Sequence, residues 1–262
     1  MKITLFTSNH NRHNYLVNLM SDISEQLFVI QENKTTFPGT VPGHYPASNI
    51  MKKYFSNVTK AQTKMFGNSY VDSKNKNIKL FPLQSGDLNK CSLETLNDFL
   101  KSDIYLVFGS SYIKGDLVDF LVKNKALNIH MGVSPYYRGT DCNFWALYDE
   151  NPHLVGATIH LLSKGLDSGP MLYHALSRVN NDPFEYTMST VKSAFHSLAE
   201  RIKKQTIFQI NPEIQKKEKE IRYSKKDEFT EEIVKKFFAK EINLNQKKFD
   251  KNLFKEPYIL KA

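Results

Sequence analysis

Short apolar runs alternate with amphipathic stretches along the first half of the chain. Residues 2–7 set Ile3 and Leu5 against Thr4 and read as a strand. Residues 12–24 gather Tyr15, Leu16, Leu19, Met20 and Ile23 on one helical face. Leu27, Phe28, Val29 and Ile30 form a short buried strand, and residues 103–109 a second strong one. A helix follows over 115–123, carrying Leu117, Val118, Phe120 and Leu121, and then a third short strand over 127–130. Strand, helix, strand at this spacing predicts βαβ units and a parallel sheet. Ligands of such sheets sit at the carboxyl ends of the strands, where Gly109 and His130 fall.

The remaining pattern is less regular. Residues 33–76 are polar and poor in strand signal, with turns at Pro38-Gly39 and Pro42-Gly43. A helix is expected over 45–66, its Ile50, Met51, Tyr54 and Phe55 stripe facing the core. After His130 a loop leads to a helix through Phe144-Trp145-Ala146-Leu147, with Trp145 buried. Residues 155–162 and 171–176 predict an antiparallel pair around a turn at 165–169. Residues 184–207 predict a long helix, and 230–240, opening with Thr-Glu-Glu-Ile, a short one. The last twenty or so residues are expected to be loosely held.

Composition narrows the class. The 262 residues are 40% hydrophobic, enough for one sizeable core. No stretch approaches the roughly 18 apolar residues of a membrane span. The first residues turn polar at once, so no secretory signal is expected. Eighteen Phe and thirteen Tyr exclude disorder across the whole chain. The net charge of +9 invites a nucleic-acid or membrane partner. From Arg201 onward, however, seventeen basic and ten acidic residues account for +7 of it. The excess therefore reads as a Lys-rich solvated tail, with no nucleic-acid or membrane partner expected. Cys91 and Cys142 form no Cys-x-x-Cys and read as reduced thiols of a cytoplasmic protein.

Several chemistries are missing from the motifs. None of the eleven glycines lie two apart, so a Gly-x-Gly-x-x-Gly fingerprint or a P-loop is absent, and Gly-x-Ser-x-Gly does not occur either. There is no His-Glu-x-x-His, the eight His lack ligand spacing, and no metal is expected. What remains is the segment from Leu127 to Gly139, followed by Gly165-Leu166-Asp167-Ser168-Gly169-Pro170. Asn128 and His130 lie two apart on a strand and so point the same way. An amide donor and an imidazole at a strand end can hold a developing oxyanion and move a proton. Asp167, flanked by glycines, is first a turn residue. It could also orient the imidazole or take a proton.

The segment resembles the catalytic core of the folate-dependent formyltransferases. The resemblance rests on Asn128-Ile129-His130, Pro135-Tyr136-Tyr137-Arg138-Gly139 and Leu166-Asp167-Ser168-Gly169-Pro170, in that order. The strand Val155-Gly156-Ala157-Thr158-Ile159-His160 lies between them. It implies an α/β fold, a Rossmann-like formyltransferase domain over 1–210 with a mostly parallel sheet, and a short basic C-terminal extension over 211–262. It implies N10-formyltetrahydrofolate as co-substrate and no metal. Asn128 and His130 would stabilise the oxygen of a tetrahedral intermediate, with Asp167 as base and as the orienter of His130. The folate would lie along Phe108, Gly109, Ser110, Ser111, Tyr112 and Ile113.

The family divides by acceptor. Methionyl-tRNA formyltransferases carry a C-terminal barrel, and the 50 residues after Pro212 leave too little room for one. Glycinamide ribonucleotide formyltransferases have a Gly-Ser phosphate loop where this chain has Thr7-Ser8-Asn9-His10-Asn11-Arg12-His13. The pattern is nearest the nucleotide-sugar N-formyltransferases, in Tyr137-Arg138-Gly139 with Phe144-Trp145-Ala146-Leu147. It is also near them in Tyr223 to Phe229, where Glu228 departs from the usual Asp-Phe adjacency. On that resemblance a nucleotide-linked aminodeoxysugar is the acceptor. Ser8, Asn9, Arg12 and His13 are then candidates for its diphosphate, against the alternative of a polar helix cap with a solvated Arg12. Tyr136, Tyr137 and Trp145 could stack on its sugar or base, the aromatics being otherwise core, and Arg138 is a further candidate for binding the substrate. A homodimer built from the region after Met171 is also implied. Another amine acceptor, a formyl-folate hydrolase and a silent RNA-binding fold remain the alternatives.

Overall fold

A computed structural model describes residues 1–33, 48–72, 74–244 and 250–260. In chain order the strands are β1 Lys2–Ser8, β2 Gln26–Asn33, β3 Ile78–Gln84, β4 Ile104–Val107, β5 Leu127–His130, β6 Tyr137–Gly139, β7 Ala157–Leu161, β8 Met171–Ser177, β9 Arg222–Ser224 and β10 Tyr258–Leu260. The α-helices are α1 Asn11–Ser21, α2 Asn49–Phe66, α3 Leu93–Leu96, α4 Gly115–Lys123, α5 Cys142–Tyr148, α6 Pro183–Lys203 and α7 Glu231–Ala239.

One sheet of eight strands runs in the order β10-β8-β7-β5-β4-β1-β2-β3. All its neighbours are parallel except β7, which is antiparallel to both β5 and β8. The period of two along the strands separates two cores. Ile3 and Leu5 of β1, Leu27 and Val29 of β2, and Ile104 and Leu106 of β4 join a cluster with residues of α1, α2, α5, α6 and α7. The intervening Phe6, Ile30, Tyr105 and Val107 join Leu117, Val118 and Leu121 of α4, with Leu88, Leu96 and Leu100, on the other face. Each fully buried Leu or Ile here contributes roughly 1.5–3 kcal/mol relative to exposure.

The sequence from β1 to β3 builds the sheet outward in one direction, and β4 and β5 build it in the other. The strand order therefore reverses between β1 and β4, which leaves a crevice at their carboxyl ends. His10, Arg12 and His13 after β1 and residues 108–113 after β4 open onto that crevice. Gly109 sits there with φ of 67°, and a Cβ on it would run into the His13 ring.

The structure differs from the sequence expectation in identifiable places. β3 forms at an edge of the sheet although its Pro82 interrupts the strand signal, because an edge strand tolerates a residue without an N–H. The helix expected over 45–66 begins at Asn49, with the Ser48 side chain accepting from Met51 N. Residues 45–47 and the turns at 38–39 and 42–43 lie outside the described residues. The C-terminal extension lies along the domain. β9 pairs with β6, Val234 and Phe237 of α7 are buried in the main core, and β10 extends the sheet beside β8. Residues 250–260, expected to be loose, are held by a buried Phe254 and by the Lys255 N–H, which donates to His174 Nδ1 at 2.8 Å. Trp145 is buried, as its apolar setting requires.

Candidate active site

A cleft of about 1000 Å³ opens over the carboxyl ends of β1, β4 and β5, at the upper end of the usual range for small-ligand sites. Its floor carries Asn128 and His130 from β5, His160 from β7 and Asp167 from the loop joining β7 to β8. The antiparallel register sets Asn128 opposite His160, so two strands running in opposite directions deliver side chains to one point.

Asp167 is the hub of this cluster. Its Oδ2 lies 3.3 Å from His130 Nδ1, and its Oδ1 accepts from Asn128 Nδ2 at 3.2 Å and lies 3.8 Å from His160 Nε2. The residue has φ of 46°, a left-handed conformation that Asp accepts more readily than most residues. Behind it, a Cβ on Gly169 would meet the Leu161 carbonyl and the His160 ring, so only glycine lets the loop close this tightly.

The hydrogen bonds fix the protonation pattern. His130 Nε2 donates to the Tyr137 carbonyl at 3.1 Å while Nδ1 faces the Asp167 carboxylate, so both ring nitrogens carry hydrogen. Burial opposes that positive charge, but Asp167 outweighs it and lifts the His130 pKa well above the ordinary range. Burial likewise opposes the Asp167 charge, yet the His130 imidazolium outweighs it and holds the carboxyl far below the usual range. His160 Nδ1 donates to the Leu161 carbonyl at 2.8 Å, which leaves Nε2 to accept from Asn128 Nδ2 at 2.9 Å. Both amide hydrogens of Asn128 are thus committed. The opposite amide orientation would set its oxygen against the Asp167 carboxylate. Cys142 sits against His130 at the start of α5, its thiol pushed up by burial and donating to the Gly139 carbonyl.

Of the residues expected to hold a folate, Phe108, Gly109, Ser110, Ser111, Tyr112 and Ile113 all line the cleft. Phe108, Ile113, Val118 and Leu162 give this part apolar walls. A fully buried Glu32 from the end of β2 fixes the loop by accepting from the backbone N–H of Ser111 and of Gly86. The Tyr112 hydroxyl donates across the rim to the Lys164 carbonyl.

The acceptor-side expectations divide. Arg12 and His13 line the cleft, as does His10 before α1. Arg12 Nη1 donates to Gln62 Oε1 at 2.9 Å, and burial lowers its pKa to about 10 against the attraction of Asp141, which leaves it charged at neutral pH. The other five are absent from the cleft wall. Ser8 is fully buried at the end of β1, and Asn9 lies outside the wall. Tyr136 and Tyr137 are buried in the core, with the Tyr137 hydroxyl bonded to Asp149 and Asn151. Arg138 turns away to Glu220 at 2.9 Å and to the Leu166 carbonyl at 3.2 Å.

Sequence reasoning gave His160 no role. Its place opposite Asn128 follows from the antiparallel pairing alone. Among the described residues, no group of three or more His, Cys, Asp or Glu is arranged to hold a metal, and no helix is long and apolar enough to cross a membrane.

Both the sequence and the fold resemble those of known formyltransferases. The chain is 38% identical over 97 residues to a methionyl-tRNA formyltransferase of Thermotoga neapolitana, covering 37% of this chain and 29% of that one. Such matches span only 27–35% of the length of the curated relatives. Its fold is similar to that of an N-formyltransferase from Helicobacter canadensis in complex with folinic acid and dTDP-3-aminofucose, at TM-score 0.54, 13% identity, and coverage of 90% and 79% of the two chains. It is also similar to a formyltransferase from Anoxybacillus kamchatkensis in complex with UDP-4,6-dideoxy-4-formamido-L-AltNAc and tetrahydrofolate, at TM-score 0.50, 18% identity, and coverage of 90% and 97%. The family model described as formyl transferase matches residues 52–207, more than half of the sequence and the whole of the Asn128, His130 and Asp167 cluster, and the chain belongs to the formyl transferase family.

Proposed function

We propose that the protein transfers a formyl group from N10-formyltetrahydrofolate to the amine of a nucleotide-linked aminodeoxysugar. The observation that carries the transfer chemistry is the convergence of Asn128, His130 and Asp167 on the floor of one cleft. The folate fits the wall from Phe108 to Ile113, where apolar side chains flank backbone polar groups suited to a flat heterocycle. The formyl donor supplies an electrophilic carbon, and the chain's own residues manage charge and protons around it.

His130 is the acid. As an imidazolium held by Asp167, it places positive charge beside the oxygen that becomes anionic when the amine attacks. An oxygen arriving there takes the Asn128 hydrogen now given to Asp167. The depressed carboxylate makes Asp167 a poor base for an amine proton, so its main work is to keep His130 charged. Nδ1 stays bonded to Asp167, so the proton that moves is the one on Nε2: shifted from the Tyr137 carbonyl to the departing nitrogen, it is given up there, and the same nitrogen then takes the proton from the amine. The role expected for Asp167 from sequence thus passes in part to the His130–Asp167 pair.

Arg12, charged and on the cleft wall, suits an anionic group of the acceptor. The sugar acceptor is further supported by the nucleotide-sugar complexes among the similar folds. The sequence relatives favour a second reading, methionyl-tRNA. The test is release of tetrahydrofolate from N10-formyltetrahydrofolate with a panel of nucleotide-linked aminosugars and, in parallel, methionyl-tRNA. Turnover with an aminosugar supports the proposal. Turnover with the tRNA alone overturns the acceptor, and formate release without any amine makes the protein a hydrolase. No turnover at all overturns the enzyme.

A further inference from the structure

The loop that carries Asp167 is held from behind by residues that touch no part of the cleft. The chain returns after α6 and pairs backbone to backbone with the start of β8. Met171 N donates to the Glu213 carbonyl at 2.7 Å, and Glu213 N to the Met171 carbonyl at 2.8 Å. Two residues on, Gln215 Nε2 donates to the carbonyls of both Asp167 and Gly169, each at 2.8 Å. The amide orientation is forced, because Oε1 in that place would face two carbonyl oxygens. Further along, Glu220 holds Arg138, whose Nη2 donates to the Leu166 carbonyl. Three carbonyls of the four residues 166–169 are thus fixed by side-chain donors, and none of Gln215, Arg138 and Glu220 lines the cleft.

We propose that Gln215 is a positioning residue for formyl transfer, its side-chain amide clamping the Asp167 backbone so that the carboxylate meets His130. The inference rests on the catalytic reading above. Asp167 occupies a left-handed backbone conformation, which a free loop would leave readily. Gln215 donates to the carbonyl of that same residue, so losing it frees the Asp167 peptide before any other. The contact at stake is the 3.3 Å approach of Asp167 Oδ2 to His130 Nδ1. The other titratable groups around His130 are Cys142 of α5, His160 of β7 and His174 of β8, and Gln215 touches none of them.

The test follows His130 in the full-length protein. In Gln215→Ala, the His130 imidazole should titrate at lower pH than in wild type by NMR, because Asp167 no longer holds its charge. With formyl donor and amine, kcat should fall roughly 10- to 100-fold while KM for either substrate stays within about twofold, as expected for a misplaced catalytic group. Gln215→Glu keeps the shape and loses both donors, and it carries the same test if the alanine variant does not fold. Gln215→Lys restores a donor of similar reach and should recover part of the lost kcat. An unchanged His130 titration in a folded Gln215→Ala or Gln215→Glu overturns the proposal. So does a fall in kcat matched by the loss of folded protein. The titration is read without substrate, so it decides the role of Gln215 even where the formyl-transfer reading fails.

Discussion

Replacing Asp167 by Asn isolates the charge from everything else the residue does. Asparagine has nearly the same size and tolerates the same left-handed backbone, so the loop and its Gln215 contacts should persist. What disappears is the attraction across 3.3 Å between Oδ2 and His130 Nδ1. Two unit charges at that spacing attract by about 5 kcal/mol at an effective dielectric near 20. The amide returns part of this through its own hydrogen bond, and water entering the cleft screens more. A loss of about 3–4 kcal/mol in the transition state remains, or roughly 10²–10³ in kcat. The pH dependence gives the sign. On the proposed mechanism His130 acts in its charged form, so wild-type kcat should hold until pH rises through the raised His130 pKa and then fall. In Asp167→Asn that fall should begin at lower pH.

Stability reports the same pair independently. The depressed Asp167 contributes stability above the unfolded value near 4 and loses it as pH falls through the folded value. The raised His130 contributes below the unfolded value near 6.5 and loses it as pH rises through the folded one. The stability gap between wild type and Asp167→Asn should therefore be widest between about pH 4 and 6.5. Urea melts across pH, together with the kcat profile, test this. A kcat within threefold of wild type, or an alkaline limb that does not move, would refute the account.

Other variants separate the cleft from its supports. Arg138→Ala should cost about 1–3 kcal/mol of stability by unpairing Glu220 and the Leu166 carbonyl, seen as a lower Tm, without changing selectivity among acceptors. Arg12→Ala should raise the acceptor KM roughly 10-fold or more while the KM for the folate holds, because the charged guanidinium lines the cleft from α1, bonded to Gln62 of α2. His174 is buried and neutral, its pKa pulled by burial down to about 4 while Nε2 donates to the Ser134 carbonyl. Its unfolded form takes up a proton first as pH drops, so stability should fall by up to about 3 kcal/mol between pH 6.5 and 4. His174→Gln should flatten that part of a urea-melt profile.

The grouping of Asn128 and His130 on the floor of the cleft was legible because both lie on one strong strand. Asn128 and His130 share a face by the period of two, and β1, β4, β5 and α4 carry runs that only a buried parallel sheet explains. What escaped was set by partners distant in sequence. β6, β9 and β10 are three residues each, and their extended form is imposed by the strand beside them. Tyr136, Tyr137 and Arg138 belong to a motif next to the site, yet packing turns their side chains away from it, which spacing alone does not reveal. Gln215 bonds to backbone carbonyls, which have no residue signature at all.

The two margins of the main sheet also bear on how this protein meets its own copies. At one margin β3 carries Pro82, which has no N–H to offer an incoming strand. At the other, β10 covers β8 with only three residues. A sheet bounded in this way gives little template for continuation from molecule to molecule, which is the usual route to strand-addition aggregates. Self-association through these margins is thereby discouraged, and the faces and loops are left as the surfaces on which copies can recognise one another.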